Sequence, residues 1–175
     1  MPVQKLKQFL DAERVKYACI SHSPAYTASE IAQSVHIPGR ELAKVVMVTL
    51  DGRMAMAVLP ANRKVNLSLL REAANADQAT LATEDQFRRL FPDCETGAMP
   101  PFGNLYGMEV YVSASLTEDD HIAFNAGSHT EVMRLAYADF ARLVKPKVAV
   151  LPTERKASPD SLRPRPRSPV SPARR

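Results

Sequence analysis

The chain has 175 residues, 45% of them hydrophobic and 24% charged, enough for one domain with a buried core and some chain to spare. Apolar runs of membrane-spanning length are absent, the first residues do not lead into an apolar signal segment, and Cys19 and Cys94 form neither a disulfide framework nor a CxxC pair. A membrane protein, a disulfide scaffold and a zinc finger are thereby excluded, which leaves a soluble, cytoplasmic domain as the expectation.

The charge is uneven. Residues 152–175 carry seven basic residues against two acids, a net of +5, so the remaining 151 residues carry −1 of the overall +4. Six prolines in the same tail block helix and sheet. The expected division is therefore a folded domain over 1–150 and a disordered, basic, Pro/Arg-rich tail over 151–175. Such a tail either solubilises the chain or attracts RNA through its phosphates.

Along the domain, Val3, Leu6, Phe9 and Leu10 mark one face of a helix over 3–13. A strand is expected over 15–21. Thr27 and Glu30 have capping-box spacing before a helix over 28–35, which Pro38-Gly39 closes. Strands over 44–50 and 54–59 flank Asp51-Gly52, a hairpin signal. The segment 65–74 turns helical, with Asn66 or Ser68 as cap, and a second capping box at Thr83 and Gln86 opens a helix that stops near Phe91. Strands follow over 109–113, 122–125 and 131–135, then a helix over 137–144. Helices and strands alternate without a regular βαβ beat, which predicts α+β: a mixed, mostly antiparallel sheet, partly barrel-like, flanked by helices.

Three places suit chemistry. Lys44 enters an apolar strand, so its stem packs while its ammonium is aimed at a phosphate, a carboxylate or a developing oxyanion; the alternative is a lysine snorkelling at a strand end. The loop Gly97-Ala98-Met99-Pro100-Pro101-Phe102-Gly103 is stiffened by two prolines and allows close backbone approach at Gly97; it could equally be a plain connection. Gly127-Ser128-His129 places a small turn and an imidazole between two strands, where a structural histidine is the plain reading. Metal-ligand spacing is lacking among His22, His36, His121, His129 and the cysteines, so no metal and no cofactor is expected. Asp93 and Glu95 beside Cys94 argue against a thiolate nucleophile.

Taken in order, the set resembles the YbaK/EbsC family, the editing domains related to the one inserted in bacterial prolyl-tRNA synthetases. The resemblance rests on His22-Ser23-Pro24, Thr27-Ala28-Ser29-Glu30, Glu41-Leu42-Ala43-Lys44, Ala57-Val58-Leu59-Pro60, Gly97 to Gly103 and Phe124-Asn125-Ala126-Gly127-Ser128-His129, and it spans roughly residues 3–145. It implies a hydrolase acting in trans, which cleaves the ester of a mischarged aminoacyl-tRNA at the 3′ adenosine. Lys44 matches the lysine that the family needs for activity. Gly97 to Pro101 match the loop that positions the ester, and Gly127, Ser128 and His129 match the turn at the pocket. Thr27, Ile20, Met47, Ala98, Met99 and Phe102 complete the expected substrate-binding set, Ile20, Met47, Met99 and Phe102 as pocket liners next to the motifs.

An aminoacyl ester is already activated, so Lys44, backbone groups of Gly97 and Gly127, and the ribose 2′-hydroxyl could suffice by placement and oxyanion stabilisation. Pro100 stands where some cysteine-handling relatives carry serine, which weighs against a cysteine substrate. The implied partners are the acceptor end of aminoacyl-tRNA and prolyl-tRNA synthetase. The competing readings are a binding module for the same partners without hydrolysis, and a small-molecule hydrolase built on Cys94 or His129.

Overall fold

The computed structural model describes residues 4–24 and 28–152. The expected tail over 151–175 lies outside them except for Leu151 and Pro152, and so does Thr27.

Helix α1 (Gln4–Ala12) buries Leu6 and Leu10, the face expected from their spacing. Strand β1 (Tyr17–Ser21) and helix α2 (Ala28–Val35) follow. Strands β2 (Leu42–Leu50) and β3 (Arg53–Pro60) form the hairpin. Both of its turn residues, Asp51 (φ 48°) and Gly52 (φ 81°), are left-handed, as a two-residue turn of that hand requires. The Asp51 carboxylate accepts from the backbone N–H groups of Asp77 and Gln78 and so ties the turn to the chain just ahead of Ala79.

Helix α3 (Leu67–Ala73) is capped by Asn66, whose side chain accepts from Leu69 N–H. Next come β4 (Ala79–Leu81), α4 (Glu84–Phe87) with a 3₁₀ turn to Leu90, β5 (Glu109–Ser113), β6 (His121–Asn125), β7 (Glu131–Ala136), α5 (Tyr137–Val144) and β8 (Lys147–Ala149). The short strands β4 and β8 carry no alternation long enough to read, and they form because a partner edge is waiting for them.

The architecture is α+β with a mostly antiparallel sheet flanked by helices. Its strand order is β1-β7-β6-β2-β3-β5-β8, with β4 also on β2. The sheet is open, which corrects the barrel-like expectation: β1 and β8 end it and do not meet. The packed chain also runs past the expected boundary at 150. Leu151 is fully buried, its carbonyl accepts from Asn66 N–H, and Pro152 bridges to Val65.

Strand β2 has one edge wholly paired to β3. Its other edge is shared: Leu42 and Ala43 pair in parallel with Ala123 and Phe124 of β6, and Val48 to Leu50 pair with β4. Between these stretches β2 parts from β6, and the sheet forks. Glu41, just ahead of β2, secures the fork. Its carboxylate is buried against Arg134 of β7 at 3.1 Å, and its carbonyl accepts from Ala123 N–H. The strand starts two residues earlier than its own pattern suggests because β6 pairs with it there.

The main core lies between the sheet and α1 and α5. Phe102 is its aromatic hub, with ring centroids 5.6 Å from both Phe124 and Phe140 and 6.4 Å from Phe9.

Candidate functional site

A cavity of about 260 Å³ occupies the fork between β2 and β6. It is lined by Ile31 of α2, Leu42, Ala43, Lys44 and Val45 of β2, Ala61 just after β3, Gly97, Asn125 of β6, and His129. Lys44, Gly97 and His129, which lie far apart in sequence, therefore line one cavity.

Lys44 is half-buried, and its ammonium makes no ion pair or hydrogen bond within the described residues. Burial lowers its pKa below that of an ordinary lysine, and the positive charge of Lys64 lowers it further. A desolvated cation without a counter-ion, facing a cavity, is a site for an incoming acceptor oxygen.

The Gly97 loop and the Gly127 turn brace each other. Gly127 N–H donates to Ala98 O at 2.9 Å, and Glu95 N–H donates to Gly127 O at 2.8 Å. The Glu95 carboxylate accepts from His129 N–H at 2.8 Å, and His129 Nε2 bonds Thr96 O at 3.0 Å. Because that carbonyl can only accept, Nε2 carries the proton. Gly97 (φ 85°) and Gly127 (φ 90°) both take the left-handed conformation that lets the two turns interlock. Both backbone groups of Gly127 are thus committed within the platform. Gly127 thereby ties the Gly97 loop to the His129 turn.

The other expected site residues divide. Ala98, Met99 and Phe102 are buried in the core, Pro100 and Pro101 are buried in the loop, and Met47 packs in the same core cluster as Phe102. None of these six lines the cavity. Ile20 packs behind it, in the cluster that contains Ile31 and Leu42. Ser128 is buried, with its hydroxyl 3.1 Å from that of Thr130. Cys94 is not a neutral-pH nucleophile: burial and the charge of Asp93 push its thiol up to about 11.

Six cavity residues were not singled out from sequence: Ile31, Leu42, Ala43, Val45, Ala61 and Asn125. Asn125 was legible only as part of a motif. Asn125 ends β6 one residue past the last β2–β6 pair, Ala43↔Phe124, and lines the cavity with Lys44. Within the described residues no His, Cys, Asp or Glu cluster could hold a metal.

A larger cavity, about 420 Å³, opens at the far end of the hairpin around Leu50 to Ala55, Tyr106 and Glu109. It lies roughly 20 Å from Lys44 along β2. Its carboxylates are engaged, Asp51 by backbone N–H groups and Glu109 by Lys147 and Tyr111, and none of the expected site residues line it.

The chain resembles known proteins over most of its length. A family model described as an aminoacyl-tRNA editing domain matches residues 22–143. The chain is 24% identical over 143 residues to the prolyl-tRNA editing protein ProX of Acetoanaerobium sticklandii, covering 78% of this chain and 86% of that protein. It is 25% identical over 150 residues to the multifunctional Ser/Thr-tRNA deacylase ProXp-y of Escherichia coli, covering 83% and 89%. The crystal structure of a candidate trans-editing enzyme for prolyl-tRNA synthetase has the same fold, with a TM-score of 0.74 at 18% identity over 86% of this chain and 96% of that one.

Proposed function

The chain belongs to the aminoacyl-tRNA editing domain family, and from that membership we propose that it is a trans-acting deacylase that hydrolyses the ester of a mischarged aminoacyl-tRNA. The observation that carries the proposal is Lys44: a desolvated ammonium without a counter-ion among the described residues, lining a cavity with Gly97 and His129.

The ester is activated, so the protein need only hold it and stabilise the charge that develops on its carbonyl oxygen. Lys44 donates to that oxygen or to the neighbouring ribose and phosphate. The 2′-hydroxyl of the terminal ribose helps to orient the attacking water. His129, fixed by Thr96 O and Glu95, lines the same cavity. The cavity, about 260 Å³, is below the ~300–1,000 Å³ of sites that take drug-sized ligands. It suits a small aminoacyl group, with the adenosine held outside. Selection among amino acids is then a sieve by size, worth ~1–3 kcal/mol per methylene.

The test is deacylation of tRNAs charged with Ala, Ser, Thr, Cys and Pro by the wild type and by Lys44→Ala. Turnover of one or two small aminoacyl species, reduced about 100-fold or more in the variant, is the expected result. Full turnover by folded Lys44→Ala, or no turnover of any species by the wild type, would refute the proposal.

A further inference from the structure

Resting on the reading of the cavity as an aminoacyl-ester site, we propose that Asn125 is the acceptor for the substrate's α-amino group, so that the site admits aminoacyl esters and rejects N-acylated ones.

The argument starts in the sheet. Strand β6 runs parallel to β2 through Leu42↔Ala123 and Ala43↔Phe124, and Lys44 and Asn125 are the next residue on each strand. Alternation projects Lys44 to the face of Leu42 and Asn125 to the face of Ala123, the same side of the sheet. Both side chains line the cavity at the point where the strands part.

The two groups have opposite polarity. Lys44 carries only donors. Asn125 Oδ1 is an acceptor, closed to water and without a hydrogen bond. An orphaned buried acceptor is costly, and most such oxygens in folded proteins have a donor. Among the described residues no group bonds this oxygen, which leaves it open to a donor brought by a ligand.

An aminoacyl ester supplies the complement. Its carbonyl oxygen accepts and its α-ammonium donates, on adjacent carbons. Lys44 repels the ammonium and attracts the carbonyl, and Asn125 does the reverse. A neutral amide suits this place better than a carboxylate would, because a carboxylate beside Lys44 would pair with it and quench the cation. Acylation of the α-nitrogen removes the charge and two of the three donor hydrogens, and adds bulk where β2 and β6 converge.

The probes are 3′-deoxy-3′-(L-alanyl)aminoadenosine, whose amide link resists hydrolysis, and its N-acetyl derivative. Each is titrated calorimetrically into the full chain. The wild type should bind the free amine about 10-fold or more tightly than the N-acetyl form, as expected for one hydrogen bond to a charged group. Asn125→Leu should bring the two within about twofold, and Asn125→Gln, which keeps a neutral amide acceptor, should retain the preference. Thermal melts establish that both variants fold. Equal binding of the two probes by the wild type, equal losses on both in folded Asn125→Leu, or no binding of either would overturn the assignment. A clear preference for the free amine, in a protein that deacylates no charged tRNA, would support the amine contact and refute the deacylase reading.

Discussion

Phe102 separates a core residue from a pocket residue, and its truncation tests the fold's account of the Gly97–Gly103 loop. The side chain is fully buried and touches the rings of Phe9, Phe124 and Phe140. Phe102→Ala removes the hub of this cluster and leaves a void that rigid strands on one side and two helices on the other cannot close. Losses for such changes are about 3–5 kcal/mol. In a chain of this size each kcal/mol lowers the melting temperature by about 2–4 °C, so a fall of roughly 6–20 °C is expected. The assay pairs circular-dichroism melts with kcat/KM on two mischarged tRNAs at a temperature where the variant is folded. Because Phe102 does not line the cavity, the ratio of the two kcat/KM values should stay within about twofold of wild type, far below the effect of a lost methylene contact. A stability change under about 1 kcal/mol together with a tenfold shift in that ratio would refute the reasoning and put Phe102 at the substrate.

Two further predictions concern charge. If the Lys44 ammonium is the active form, kcat/KM falls as pH rises through a pKa below that of free lysine, after subtraction of the uncatalysed rate. Lys64→Gln removes a repelling charge and should move that alkaline limb upward; a limb that stays put would detach it from Lys44. With the Cys94 thiol near 11, about one molecule in a thousand holds a thiolate there at pH 8. Cys94→Ala should therefore keep kcat/KM within about twofold, and iodoacetamide should label exposed Cys19 first; loss of turnover in a folded Cys94→Ala protein would restore the thiol as a catalytic group.

Much of the fold was legible in local pattern. The α1 face, the Asp51-Gly52 turn, the Asn66 cap and the longer strands all follow from spacing and from turn and cap chemistry that each segment carries alone. Strands β4 and β8 escaped because three residues hold no period; they exist only where β2 and β5 offer an edge. The barrel-like expectation failed for a related reason. Closure depends on whether β1 and β8 meet, and no single segment encodes that.

The site divides along the same line. Sequence alone determined which residue types were available: a lysine at the entry of an apolar strand, a stiff Gly–Pro loop, and a glycine–histidine turn. Only the tertiary structure decided which of them converge. The fork in the sheet brings Lys44 and Asn125 to one cavity, the Glu95–Gly127–His129 hydrogen bonds lock the two turns together so that Gly97 and His129 line it too, and packing turns Met99 and Phe102 inward to the core. The physical reason is that register and fork are long-range. They depend on how β2 divides one edge between β6 and β4, strands separated in the chain by some forty residues, and no window of local sequence contains that choice.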